Sequence, residues 1–390
     1  GLINASAELR EQAALGLGEL IELTSDKALR EFAIPITGPL IRIIGDRYPW
    51  QVKSAILSTL SIMIRKGGIA LKPFLPQLQT TFIKCLQDST RTVRSSAAIA
   101  LGKLSVLSTK VDTLVGDLLS GLQASDVAIQ EAMLTALEGV IRNSGKSISA
   151  AVVTRTLGQL KGIVYSEHDN LRSSSARVLG PLLQYLENVE VSELLISIVE
   201  SASSSSWTAK HGSVLALSSM LKHNASVICA SPLFTRIFDC LKNSSKDEKF
   251  PIRESAVRGL GSLLLHQVSG DPPNAANEAV SLNILVSALR NDTSEVKRRA
   301  LKALKSASKA NPQSMMLHVS LYGPAIAECL KDGSSPVRMA AERCALYSFQ
   351  LSKGAENVQA AQKYITGLDA RRISKLPENS DDSEDSEDDG

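Results

Sequence analysis

Five histidines (His168, His211, His223, His266, His318) and five cysteines (Cys85, Cys229, Cys240, Cys329, Cys344) are the residues of this chain best suited to nucleophilic, acid–base or metal chemistry. Their spacing supports none of it. There is no HExxH, no CxxC and no Cys–His ligand pair, no GxSxG elbow for an activated serine, and no GxxxxGK[ST] loop for a phosphate. Two GxG words, at Gly16/Gly18 and Gly259/Gly261, lack a third glycine and follow no strand-like run. The expectation is a chain with no catalytic residue, no metal ligand and no cofactor.

What remains is recognition chemistry. Arg42, Arg47, Tyr48, Trp50 and Lys53 crowd one short stretch, and arginines beside aromatics are the common make-up of a protein-binding hot spot. The structural alternative is that Trp50 merely seals a turn. Arg298, Lys302, Lys305 and Lys309 fall at i, i+4, i+7 and i+11, one cationic stripe on a helix that would suit phosphates, although no aromatic residues interleave to stack bases. Trp207 stands just before Lys210 and His211, where packing across a turn is the expectation. Near the end, Ser386 has an acid three residues on. A phosphate there would supply the same feature to Ser383, and Ser383 to Ser380, each adding about −1.5 to −2 charges. A plain solubilising tail is the alternative.

These residues are set on a repeat. Anchored on one basic or amide residue, the copies start from Arg10, Lys53, Arg94, Gln130, Arg172, Lys210, Arg253, Lys297 and Arg338, roughly 41 residues apart, the period of HEAT and armadillo helical hairpins. Seven residues after the anchor stand Leu17, Leu60, Leu101, Leu137, Leu179, Leu217, Leu260 and Leu304, with Ala345 in the ninth copy. Offsets −1, +3 and +7 lie on one face of a 3.6-residue helix, so each copy is an amphipathic helix. Glycine recurs at +8 (Gly18, Gly102, Gly180, Gly261), where it costs about 1 kcal/mol relative to alanine unless two backbones approach closely. Asp46, Asp88, Asp126, Asp169, Asn243, Asp292 and Asp332 mark the turns, as caps or as rungs of a ladder with the anchors. The fold expected is all-α: a HEAT-repeat, armadillo-like solenoid, a right-handed superhelix of about nine hairpins. Residues 1–28 would end a first repeat that continues N-terminally, 29–370 would form the solenoid, with a capping helix near 355–368, and 371–390 a disordered acidic tail.

Composition agrees. Aromatics are only 4% and apolar residues 44%, as small-residue helix packing requires. The odd cysteine count argues against a disulfide framework and for a reducing compartment. No apolar run approaches a membrane span. The last 13 residues, ENSDDSEDSEDDG, hold eight of the 40 acidic residues and none of the 43 basic ones, so the body is more basic than the net charge of +3 suggests.

At ITGPLIRIIGDRYPWQVKSAILSTL and GIALKPFLPQLQTTFIKCLQDSTRTVRSSAAIALGKL, and more loosely at SWTAKHGSVLALS, IRESAVRGLGSLL and DARRISKL, the chain resembles the C-terminal part of the general-control translational activator family. These are very large cytoplasmic HEAT proteins of eukaryotes. The resemblance implies a scaffold that binds ribosomes, and that binds and activates, in amino-acid starvation, the RWD-domain-bearing kinase of the initiation factor 2 alpha subunit. It further implies an ATP-binding-cassette partner, no membrane, and a kinase-binding region within about residues 1–150, where Arg42–Lys53 become the expected contacts. Two other readings stand beside it: a generic HEAT adaptor for tubulin or a transport cargo, with Trp50 and Lys53 as its turn contacts, and an RNA-binding array using the 298–309 stripe.

Overall fold

A computed structural model describes residues 6–44, 48–270 and 275–350. Arg47, Asp46, the expected cap near 355–368 and the tail with Ser380, Ser383 and Ser386 lie outside the described residues. Among those described, all regular structure is helical.

Each anchor residue is the fourth residue of its own helix: α1 (Ala7–Leu23), α3 (Trp50–Gly67), α5 (Arg91–Ser105), α7 (Val127–Ser144), α9 (Asp169–Leu182), α11 (Trp207–Cys229), α13 (Phe250–Ser269), α15 (Ser294–Ala310) and α18 (Ser335–Gln350). Between them run the partner helices α2 (Asp26–Ile43), α4 (Leu75–Cys85), α6 (Val111–Gly121), α8 (Ala150–Ile163), α10 (Asn188–Ala202), α12 (Phe234–Ser244), α14 (Ala275–Asn291) and α17 (Val319–Cys329), with a short α16 (Pro312–Leu317) before the last. The chain divides into two compact units, residues 1–224 and 225–390. In the first, α1, α3, α5, α7 and α9 stack in sequence order; in the second, α13, α15 and α18 do the same. Each unit is a stack of helical hairpins, the HEAT solenoid the period predicts.

The stacking follows from the repeat. Val52, Val93, Leu171, Ile252, Val296 and Val337, one residue before the anchors, are buried, as are the +7 leucines from Leu60 to Leu304. Each such side chain contributes about 1.5–3 kcal/mol on burial. The glycines do what their position suggests. A Cβ on Gly102 would lie 3.1 Å from the Cα of Gly139 in α7, and one on Gly261 would lie 2.5 Å from the Cβ of Ala303 in α15. On Gly180 it would meet the Ser219 hydroxyl at 2.3 Å and the Ser219 carbonyl at 2.7 Å.

A second set of ties lies toward the far ends of the anchor helices. The Asn143 amide donates to the Gly102 carbonyl (3.0 Å), Asn224 to Gly180 (2.7 Å) and Asn311 to Val268 (2.8 Å), each reaching back one repeat. Asn224 leaves helical geometry to do so (φ −140°, ψ 37°), which kinks α11. Contrary to the expectation that no apolar run approaches a membrane span, the segment Trp50–Cys85 contains an 18-residue stretch apolar enough by composition to cross one. A 3-10 turn (Gly68–Phe74) divides it, and α3 spends its apolar side chains against α1, α2 and α5.

Two glycines give opposite expectations. Gly180→Ala drives a methyl into the α11 backbone and should cost about 1–3 kcal/mol of unfolding free energy in urea titrations followed by circular dichroism. Gly16→Ala, with nothing within 4 Å of the added carbon, should instead stabilise by about 0.5–1 kcal/mol. Equal effects would refute close approach as the reason for the recurrent glycine.

Candidate partner-binding site

The anchors form a ladder before they offer anything to a partner. Nη1 of Arg94 donates to the carbonyls of Asp88 and Ser89 (2.8 and 2.9 Å), and Arg253 and Arg338 repeat this on Asp247/Glu248 and Asp332/Gly333. The anchor then reaches forward to the next turn. Lys53 meets Asp88 (2.8 Å), Lys297 meets Asp332 (2.7 Å), and the Arg253 fork grips Asp292 through Nε and Nη2. The turn acids cap as well: Asp88, Asp126 and Asp332 accept the N–H groups of Thr90, Ala128 and Ser334. Asn243 is not such a residue. It lies inside α12, and Asp247, six residues before Arg253 as Asp88 is before Arg94, takes the turn by accepting the Lys249 N–H.

The electrostatics carry the imprint. Burial opposes ionisation of Asp88, but Lys53 and the Thr90 N–H outweigh it and hold its carboxyl below the ordinary 3.8. Lys297, with the Ser334 N–H, holds Asp332 below the same value. The Asp292 carboxylate raises Arg253 above its ordinary range.

Of the stretch expected to meet a partner, Trp50 opens α3 with its side chain 45% exposed, and Arg42 is exposed in the last turn of α2. Tyr48 is half-buried beneath Arg10, whose guanidinium carbon lies 4.4 Å from the ring centre. Lys53 requires a correction. It is buried with its ammonium on Asp88, a ladder rung rather than a contact residue. Its place as the fourth residue of α3, where every anchor stands, was the available sign. Arg10 is the residue the reading of this stretch missed, because it lies a repeat away in sequence.

The cationic stripe also requires correction. Arg298 and Lys302 are half-buried, Lys305 is buried, and only Lys309 of the four is exposed. The helix that carries them, α15, is packed by α13, α14, α16 and α18, so spacing along one face does not make that face open to solvent. Beside it Arg299 is spent on Glu254 (2.6 Å). Trp207 behaves as the turn-packing reading expects. It stacks on His211 and covers the fully buried Arg172 at 4.7 Å, while Arg172 donates to the His211 Nδ1 (3.1 Å), the Ser166 carbonyl and Asp169. All five cysteines are free, and burial pushes the Cys329 thiol up to about 11. Among the described residues no group of three or more His, Cys, Asp or Glu side chains could hold a metal.

The ladder predicts a pH signature. Asp332 has a depressed folded-state pKa, so its contribution is complete above the ordinary value of 3.8 and is lost as pH falls through the lowered one. Asp332→Ala should therefore cost about 1–3 kcal/mol at neutral pH, with the gap to the parent closing only in strong acid. A gap of the same size at both ends of a urea-titration series from neutral pH into strong acid would exclude the ion pair as its source.

Residues 210–364 match the family model described as GCN1-like, C-terminal HEAT repeats, and residues 50–104 match a HEAT-like repeat model. The chain is 62% identical over 388 residues to the protein ILITYHIA of Arabidopsis thaliana, 37% over 372 to the stalled ribosome sensor GCN1 of Homo sapiens, and 30% over 369 to the eIF-2-alpha kinase activator GCN1 of Saccharomyces cerevisiae. These alignments cover 100%, 94% and 90% of the chain and 14% of each relative, so the chain spans about one-seventh of their length. A period, a ladder and a run of matches along the whole chain agree, and the chain belongs to the GCN1-like family, as a segment of its HEAT array.

Proposed function

We propose that this chain is a non-enzymatic docking segment of a cytoplasmic translation regulator, and that it binds the RWD domain of the kinase of the initiation factor 2 alpha subunit. Within a longer polypeptide it would couple that kinase to ribosomes during amino-acid starvation, with an ATP-binding-cassette protein as a further partner. The names of its relatives, a stalled ribosome sensor and a kinase activator, support the general role. The observation that carries the site is the exposed indole of Trp50. It stands at the first position of α3, with exposed Arg42 shortly before it in the chain and Tyr48 held in place by Arg10. An aromatic ring of this kind, rigid and partly uncovered, gains most from a partner that completes its burial.

Trp207 provides the contrast. It occupies the same first position in α11 and is 38% exposed, yet its ring is engaged on Arg172 and His211. Trp50→Ala combined with Arg47→Ala should weaken binding of the RWD domain about tenfold or more in calorimetric titration, with an unchanged circular dichroism spectrum. Trp207→Ala should instead lower the melting temperature and leave that affinity alone. An unaltered affinity in the Trp50/Arg47 variant would overturn the assignment of the site.

A further inference from the structure

The turns that follow the anchor helices form the edge opposite the ladder, and three successive ones in the first unit carry exposed cations, two of them beside an exposed aliphatic side chain. After α3 come Ile69, 74% exposed, and exposed Lys72. After α5 come Val106, 63% exposed, and exposed Lys110. Arg142 and Lys146 are exposed at and just beyond the end of α7. These turns are neighbours because α3, α5 and α7 stack in order. Ser54 and Ser96 meet near the starts of α3 and α5 (3.2 Å), while Ser105 and Ser144 meet at the ends of α5 and α7 (2.8 Å), which fixes a common direction.

The fold does not require this chemistry. The helix dipole favours a cation in a last turn, which accounts for Arg142 alone. Lys110 is the N-cap of α6, where the dipole disfavours a cation and where its side chain makes no capping bond. Lys72 and Lys146 stand in 3-10 turns beyond the α-helices. Ile69 and Val106 face water although every repeat has a core to hold such side chains.

We infer that this edge docks an acidic helical segment of another protein, one with aliphatic side chains at seven-residue spacing. Stacked helices lie about 8–10 Å apart. Two turns of an α-helix rise about 10.8 Å. A helix laid along the edge therefore meets Ile69 and Val106 with residues i and i+7, and sets its carboxylates among Lys72, Lys110, Arg142 and Lys146. A phosphate backbone would satisfy the cations and leave both aliphatic side chains uncovered. The surface goes beyond the kinase-domain reading: the length of α3 separates it from Trp50, so both edges can be occupied at once.

The test uses the whole chain and a fluorescent 21-residue peptide of Glu and Ala with Leu at every seventh position, read by anisotropy. Binding should weaken about tenfold in Lys72→Glu/Lys110→Glu/Lys146→Glu. It should weaken about tenfold in Ile69→Ser/Val106→Ser, and again when the leucines of the peptide are moved out of register. Lys84→Glu/Lys161→Glu, which reverses exposed lysines on the partner helices α4 and α8, should bind as the parent does. Circular dichroism confirms that each variant is folded. The proposal is overturned if the peptide does not bind, or if the partner-helix reversal weakens it equally. It is also overturned if the Ile69/Val106 change is silent while a uridine oligonucleotide or phosphatidylserine vesicles bind through the same lysines.

Discussion

One side chain per repeat holds this array in register. As the fourth residue of its helix, the anchor can reach backward to the carbonyls that end the preceding hairpin turn and forward to the acid of the next turn. The backward arm satisfies carbonyls of the hairpin turn itself, such as those of Asp247 and Glu248, which lie beyond the last residue of the partner helix. The forward arm joins one hairpin to the next. Arginine alone has enough donors in a rigid fork to do both, as Arg253 does. Lysine keeps the forward arm at Lys53 and Lys297, and the amide of Gln130 keeps the backward one, on the carbonyls of Leu122 and Ala124. Removing one partner from such a rung leaves a desolvated charge, which costs more than the intact pair contributes, so register is enforced chiefly by the penalty for mispairing.

This division of labour decides where function can reside. Anchors, +7 leucines and close-packing glycines are consumed by stacking, and what remains for partners is the chemistry of turn tips and helix ends. The two tryptophans show how finely the boundary runs. In the turn before α11 four serines, Ser203 to Ser206, stand where other copies have an acid, and Arg172 takes the ring nitrogen of His211 as its forward partner with Trp207 as a cover. In the turn before α3 the ring of Tyr48 is a forward partner of Arg10. That arrangement leaves the indole of Trp50 outside the ladder.

The period, the helical class and the reason for the glycines were legible in the chain because they are local, repeating within one helix or from one helix to the next. The fate of the charged residues was not. A helical wheel assigns an inside and an outside, whereas an anchor helix in a stack touches the helix before it, the helix after it and its own partner. Spacing of i, i+4, i+7 and i+11 therefore carried Lys305 into the packing while leaving Lys309 in water. The asparagine ties were missed for a related reason. Asn143, Asn224 and Asn311 stand at offsets +13 or +14, beyond the part of the repeat that aligns by apolar pattern, and their acceptors are backbone carbonyls that carry no sequence signal.

A ladder built of nearest-neighbour rungs also constrains how such an array responds to a partner. Each rung joins an anchor to its own turn, to the adjacent one or, as at Arg253, to both, so a load on one turn is felt strongly one repeat away and falls off beyond it. Groups more than about 7–10 Å apart with no shared partner act additively in energy. α3, at 18 residues and about 1.5 Å per residue, places its two ends well beyond that distance. Occupation of the Trp50 turn and of the opposite edge should then combine as independent events on a common frame. That independence is what a scaffold requires: several partners held at fixed spacing, each bound through its own turn, with the stack itself unchanged.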